Sequence, residues 1–306
     1  MAALLERTFR PPFEIDLRLT LAPLRRGSGD PCMRVTASGI WRATRTPCGP
    51  ATVRLWQTGA DVHVQAWGPG AAWALEAAPA LVGAEDDDDG FSAVAGRHPV
   101  VADIWRRMAA VRLCRSQAVT EALVPTIIEQ KVVAADARQA YRRLVWAFGE
   151  PAPGPAEPRM LLPPAPERLA GLPSWAFHRF NVERRRADTV RVACRVSHRL
   201  EESVGLGAAV AHHRLQSLPG IGVWSSAEAV RLALGDPDAV SLGDYHLPNL
   251  VSWSLAGEPR GTDERMLELL EPWVGQRARV VRLLELGGRH APRWGPRMPR
   301  QSIAAL

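Results

Sequence analysis

Lysine is almost absent from this 306-residue chain: Lys131 is the only one, and every other basic side chain apart from histidine is arginine. Arginine usage of this kind also follows from a GC-rich genome, so it says little about partners. Cysteine is scarce too. Cys32, Cys48, Cys114 and Cys194 stand too far apart for a Cys-x2-Cys metal pattern, and so few thiols fit a reduced compartment. No apolar run approaches the length of a membrane span, so no membrane association is expected. Met1 to Arg10 carries Glu6 and lacks the apolar stretch of a secretion signal, so the expected location is the cytoplasm.

What is present is globular. Hydrophobic residues make up 46% and charged residues 23% of the chain, and the length suits roughly two or three domains with real cores. Net charge is +6, with an isoelectric point near 9.8. Glu85-Asp86-Asp87-Asp88-Asp89 concentrates five negatives, so the remainder carries about +11. A basic body of this kind suits a polyanionic partner, because contacts with phosphate release counterions.

The expected fold class is α+β, with a small antiparallel sheet first and an all-helical domain after it. Phe13 to Leu21 alternates apolar and polar residues and reads as a strand with one wet face. Met33 to Thr44, Ala51 to Gln57 and Asp61 to Trp67 read as further strands, with Thr58-Gly59-Ala60 as a hairpin turn. Gly70 to Leu81 is alanine-rich and helical. Residues 1–82 therefore form the first domain, and 83–96 an acidic, solvated linker in which little can be buried. Residues 97–288 form the helical domain, in two halves. Its predicted helices include Ala118 to Gln130, Ala134 to Phe148, an arginine-rich Phe177 to Leu200, Asp263 to Leu270 capped by Thr262, and Trp273 to Leu286. Pro151 to Pro166 holds seven prolines and must be a connector. Residues 289–306 form a basic tail.

The stretch Leu215 to Asn249 organises the rest. Leu206, Val210 and Leu215 roughly mark a helix. Pro219-Gly220-Ile221-Gly222 is a tight turn with two glycines free to take positive φ. Val223, Ala227, Val230 and Leu234 then fall on one helical face, ended by Gly235-Asp236-Pro237. Bare backbone N–H groups at such a helix start form an anion site, although a plain turn between helices has the same sequence signature. A short apolar run leads to Asp244, which suits either a helix cap or a reacting carboxylate. His212-His213 is no metal pair, since neighbours do not share a helix face.

Taken together, Leu218-Pro219-Gly220-Ile221-Gly222 followed by Gly243-Asp244-Tyr245-His246 resembles the helix-hairpin-helix DNA glycosylase superfamily. Within it the likeness is greatest to the bacterial 3-methyladenine DNA glycosylase II type. It includes Gln216, Trp224 in the hairpin, Asp244-Tyr245, and Pro272-Trp273. Upstream, Ile127-Ile128-Glu129-Gln130-Lys131-Val132 is similar to the family's Ile-Leu-Gly-Gln-Gln-Val segment, and Pro163 to Leu169 to its Pro-rich turn.

The resemblance implies a DNA repair enzyme that flips a damaged base, expected to be an alkylated purine, out of a duplex and hydrolyses its N-glycosidic bond. Asp244 would be the carboxylate that stabilises the cationic sugar of the transition state. Trp224, Trp273, Glu228, Tyr245 and His246 would line the pocket, where tryptophan faces suit cationic bases. Gly220, Gly222, Ser225, Gln130 and Lys131 would contact DNA, and the carbonyls of Gln216, Leu218 and Gly220 would hold a monovalent cation. Bifunctional members carry a lysine where Trp224 stands, so a monofunctional glycosylase without strand scission is expected. No cysteine follows Cys194, so no iron–sulfur cluster is expected. The partner is double-stranded DNA and the protein a monomer. Lys131 departs from the family's wedge residue, and Glu228 and His246 from its tyrosine and leucine, which leaves substrate range open. A helix-hairpin-helix protein that binds DNA without activity remains the alternative, as does a glycosylase for deaminated or oxidised bases.

Overall fold

Along Asp61–Trp67 the side chains of Val62, Val64 and Ala66 are buried while those between them are half-exposed, the period of a strand with one face on a core. In a computed structural model, which describes residues 4–88, 90–155 and 157–289, that strand is β5 of a five-stranded antiparallel sheet. The strands β1 (Leu4–Phe9), β2 (Met33–Thr36), β3 (Gly39–Thr46), β4 (Gly49–Thr58) and β5 run in the order β1-β5-β4-β3-β2. The expected turn joins β4 to β5: Thr58 pairs with Asp61, and Gly59 takes a φ of 61°. Met33 to Thr44 is two strands folded back on each other rather than one.

Phe13 to Leu21 is not a strand. Its second half is a short helix, α1 (Leu17–Leu21), because the Asp16 carboxylate accepts the Leu19 N–H at 2.9 Å and fixes a helical start. Leu17, Thr20 and Leu21 fall inward at helical spacing, so an apolar pattern that alternates on paper also fits one turn of helix. The sheet's own first strand lies earlier, at Leu4–Phe9. Helices α2 (Ala71–Glu76) and α3 (Ala78–Leu81) cover the sheet, with Leu55, Val64, Ala78 and Leu21 in one core.

The acidic segment is not a solvated linker. Asp86 is buried and accepts two bonds from the Arg279 guanidinium, at 2.7 Å each, and a third from the Leu113 N–H at 3.0 Å. Asp88 pairs with Arg112. Phe91, which starts helix α4 (Phe91–Ala95), is fully buried. Charge patterning fails here because the cations that pair with the run lie far away in sequence.

Helices α5 (Pro99–Met108), α6 (Val119–Glu129), α7 (Ala134–Phe148), α8 (Pro166–Gly171), α9 (Arg184–Arg195), α10 (Ser197–Glu201), α11 (Ala208–Gln216), α12 (Val223–Leu234), α13 (Leu247–Ala256), α14 (Asp263–Leu270) and α15 (Arg277–Gly287) complete the described fold. The expected continuous helix from Phe177 to Leu200 is broken. A 3-10 turn covers Ser174–Phe180, Asn181 takes a φ of 66°, and α9 ends at Arg195. Trp273 belongs to a 3-10 turn, and α15 starts only at Arg277.

The helices bury two separate cores. Leu123, Ile127, Leu144, Phe177, Val190, Leu215 and Val230 join α6, α7, α9, α11 and α12. Ile104, Leu250, Met266, Trp273, Val280 and Leu284 join α5 to α13, α14 and α15. The chain thus leaves the first core at the end of α12 and passes to the second, which Val240 reaches ahead of α13. Residues 235–246 make that crossing, and Asp244 is on it.

Candidate functional site

Helix α6 sets the position of one wall. At its start, Glu201 accepts the Val119 and Thr120 N–H groups at 2.8 Å each, and Glu121 receives Arg42 at 2.9 Å, which fixes α6 to the sheet. At its end, the buried Arg186 side chain donates to the Ile128 carbonyl at 2.7 Å. Gln130 then follows the last turn, and its amide donates to the Gly220 carbonyl at 2.9 Å and the Ser225 hydroxyl at 2.8 Å. The next residue, Lys131, is exposed and held at a φ of 54°, a region that residues with a side chain seldom occupy.

The hairpin between α11 and α12 faces Gln130. Gly220 takes a φ of 86°, and an added Cβ would lie 2.3 Å from the Thr189 hydroxyl, so both conformation and space demand glycine. Gly222 has ordinary extended dihedrals, and a Cβ there would meet open space. The expectation of two positive-φ glycines therefore holds for Gly220 alone. No side chain caps α12. Its first N–H groups, with those of Gly220 and Gly222, have no acceptor among the described residues. Free donors at a helix start, where the helix dipole adds positive potential, are chemically suited to an anion.

Trp224 lies one residue into α12 and crosses to the other side of the site. Its indole N–H donates to Asp244 Oδ2 at 3.0 Å. Asp244 Oδ1 accepts the His246 and Leu247 N–H groups at 2.7 and 2.9 Å. Asp244 is therefore a cap for α13 and a partner of Trp224 at the same time. A carboxylate has about four acceptor positions, so three donors leave one for an incoming atom, and Asp244 is only half-buried. The turn is held from behind as well: Asp263 accepts the Gly243 N–H at 2.7 Å. Nothing in the sequence pattern singled out Asp263, whose place at the start of α14 is explained equally well by the helix dipole.

Glu228 follows Trp224 by one helical turn and is fully engaged. Arg231 donates to one oxygen at 2.8 Å and the Ser241 hydroxyl to the other at 2.5 Å. Burial works against the charge of Glu228, but Arg231 and Ser241 outweigh it and hold the carboxyl below its usual range. Tyr245 is 84% exposed, its ring edge-on to that of His246, also exposed, at 5.0 Å.

Trp273 is not part of this site. It is 2% exposed in the core of the second half, and its indole N–H donates to the Val94 carbonyl at 2.8 Å. A buried indole needs an acceptor, and the 3-10 turn before α15 points the ring at one. Sequence also missed a chain of bonds behind the hairpin. His212 joins the Ser226 hydroxyl at 2.7 Å to Asp236 at 3.0 Å, and Ser226 is fully buried. The trio has the composition of a hydrolytic triad, but no substrate reaches its serine, and it ties α11, α12 and the crossing segment together.

Two of the three expected cation carbonyls have acceptor capacity left. Gly220 O accepts from Gln130 and Leu218 O accepts from the Ile221 N–H at 3.1 Å, and each keeps a second lone pair. Among the described residues no group of three or more His, Cys, Asp or Glu side chains converges on a metal position, and no helix is long and apolar enough to cross a membrane.

The sheet and the two helical halves, with the hairpin and Asp244 near their junction, make up a fold shared with solved DNA glycosylases. Solved structures with that fold superpose over nearly the whole chain. A 3-methyladenine DNA glycosylase from Archaeoglobus fulgidus matches with a TM-score of 0.78 at 17% identity, over 92% of this chain and 97% of its own. The Clostridium acetobutylicum 8-oxoguanine glycosylase/lyase matches in its apo form with a TM-score of 0.71 at 12% identity, over 93% and 98% of the two chains. The same enzyme in complex with double-stranded DNA containing cytosine opposite 8-oxoguanine gives 0.71 at 13% identity, over 92% and 96%. No family model and no curated protein sequence matches the chain.

Proposed function

We propose that this protein is a monofunctional DNA glycosylase that hydrolyses the N-glycosidic bond of a damaged purine in duplex DNA. The observation that carries the reading is the Asp244 carboxylate. It is half-exposed, aimed by the Trp224 indole at 3.0 Å and by the start of α13, and set across the helical junction from a hairpin with free amides. Breaking the bond between C1′ and the base nitrogen leaves positive charge on the sugar and the electron pair on the base. A carboxylate with one acceptor position open stabilises that charge as it develops; a water oxygen then bonds to C1′, and its proton passes to the released base or, where a cationic base leaves neutral, to solvent. The hairpin amides would hold phosphate oxygens, and the carbonyls of Gln216, Leu218 and Gly220 a sodium or potassium ion beside them.

Trp224 occupies the hairpin position at which an attacking amine would stand, and Lys131, the only lysine, lies at the end of α6. That supports base release without strand scission. It also supports Lys131 as the residue beside the emptied stack, since a strained, exposed turn presents it. Gln130 is spent on the hairpin and acts by positioning it. Glu228 gives no excess negative charge to select a cationic base, because Arg231 neutralises it. The alkylated-purine preference therefore rests on the Trp224 ring alone, with oxidised or deaminated bases as the competing substrates. The same reading has the protein acting as a cytoplasmic monomer.

A second reading is favoured by one observation: Asp244 caps α13, which is reason enough for an aspartate there. The protein would then bind DNA without chemistry. The test is to incubate it with separate duplexes carrying a methylated purine, ethenoadenine, hypoxanthine or 8-oxoguanine, with and without alkali. Strand cleavage only after alkali supports the monofunctional reading and names the lesion. Cleavage without alkali removes the argument from Trp224. Binding without base release on every duplex leaves the second reading.

A further inference from the structure

Beside the hairpin, Arg184, Arg185, Asp188 and Thr189 of α9 face Pro219 and Gly220 across a groove of about 650 Å³. The groove owes its depth to the glycine. Gly220 has no side chain to fill it, and Thr189 turns its hydroxyl back onto the Arg185 carbonyl at 3.0 Å. Its charge is unbalanced. Arg185 is exposed and finds no acidic partner among the described residues. The Arg184 side chain is 88% exposed, and among the described residues its only carboxylate contact is with Asp188 at 3.7 Å. Asp188 is itself taken by Arg191 at 2.9 Å. The third arginine of the run, Arg186, is turned inward onto α6 and leaves the other two as the groove's positive edge.

We propose that this groove is a second phosphate site for DNA, continuous with the hairpin, in which Arg184 and Arg185 grip the backbone adjacent to the phosphate held by the hairpin amides. The inference rests on the glycosylase reading for the identity of the polyanion. Gly220 belongs to both features: its backbone sits at the hairpin tip and it forms the groove wall, so a strand lying on the amides must pass the arginines. Guanidinium forks match two phosphate oxygens at once, and exposed ones bring no desolvated partner to strip away.

The test is the salt dependence of binding to an undamaged duplex, followed by fluorescence anisotropy at several sodium chloride concentrations. Each phosphate contact contributes about 0.9 to the slope of log K against log salt. Arg184→Ala/Arg185→Ala should flatten the slope by roughly 1.8 and weaken binding about tenfold or more near 0.1 M salt, on that same counterion basis. Arg106→Ala/Arg107→Ala removes the same charge from α5, where both arginines sit beside Asp103, and should leave the slope unchanged. An unchanged slope in the α9 variant overturns the proposal, as does an equal loss in the α5 variant, which would reduce the effect to net charge. If the wild-type protein binds no duplex at all, the groove and the glycosylase reading fall together. If it binds with the expected slopes but releases no base, the groove stands and only the glycosylase reading fails.

Discussion

Replacing Arg279 with methionine should cost far more than any surface arginine. Asp86 and Arg279 are 3% and 2% exposed, joined by two bonds of 2.7 Å. Arg279 also donates to the Asp87 carbonyl at 3.3 Å and to Gln276 at 2.7 Å, and lies over the Phe91 ring at 5.7 Å. Once it is gone, Asp86 keeps only the Leu113 N–H. A buried charge stripped of its partner costs about 3–5 kcal/mol, against about 0.5 kcal/mol or less for a solvated surface charge. Removing both partners with volume-matched apolar residues, as in Asp86→Leu/Arg279→Met, leaves no charge stranded and should recover part of the loss. Urea unfolding of the two single variants and the double variant, followed by tryptophan fluorescence and circular dichroism, reads all three. The pair joins the acidic segment to α15, so the losses should appear in the transition of the half that contains Trp273. Single variants within about 0.5 kcal/mol of wild type, or strictly additive effects, would refute the buried clamp and return Glu85 to Asp89 to a solvated linker.

Three further outcomes follow from the site and its surroundings. Trp224→Phe keeps a ring but removes the donor to Asp244; losing a hydrogen bond to a charged group, about 1.5–3 kcal/mol, should slow single-turnover base release roughly ten- to a hundredfold. Glu228 is held below the ordinary carboxylate range by Arg231 and Ser241, so its ionisation stabilises the fold above its unfolded pKa and that contribution fades as pH falls through the lowered value. Glu228→Gln should therefore be destabilised at neutral pH in thermal melts and approach wild type as the pH drops below the usual carboxylate range. Of the four thiols, Cys48 is exposed while burial pushes Cys194 up to about 12 and also raises Cys32 and Cys114, so an aromatic disulfide reagent at pH 8 should titrate one thiol in the native protein.

Much of this was legible in the sequence where local rules decide. The hairpin turn at Gly59, the helix Ala134–Phe148, the Thr262 cap and α12 between Gly222 and Gly235 all follow from turn chemistry and apolar spacing. The resemblance puts Trp224 and Asp244 at one pocket and Gln130 and Gly220 on the DNA, but the hydrogen bonds that join each pair follow from no pattern in the chain. What sequence misread depends on partners distant along it. Asp86 looks solvated until Arg279, 193 positions later, is placed against it. Trp273 looks like a stacking surface until Val94 supplies its acceptor. Glu228 looks like a free acid until Arg231 and Ser241 close on it. Phe13 to Leu21 failed for a local reason: a single Asp16 cap selects helix for an apolar pattern that also alternates.

Asp244 carries the proposed chemistry, and one substitution separates its two roles. Asp244→Asn keeps a carbonyl oxygen for the His246 and Leu247 N–H groups, so the cap survives, but it removes the negative charge. The measurement is the single-turnover rate of base release at saturating protein, with melting temperature and duplex affinity recorded beside it. The account predicts a fold and affinity close to wild type and a rate lower by a hundredfold or more, on the order of the loss seen when one preorganised electrostatic stabiliser is removed. A variant that releases base at the wild-type rate would contradict it and leave Asp244 as the cap of α13.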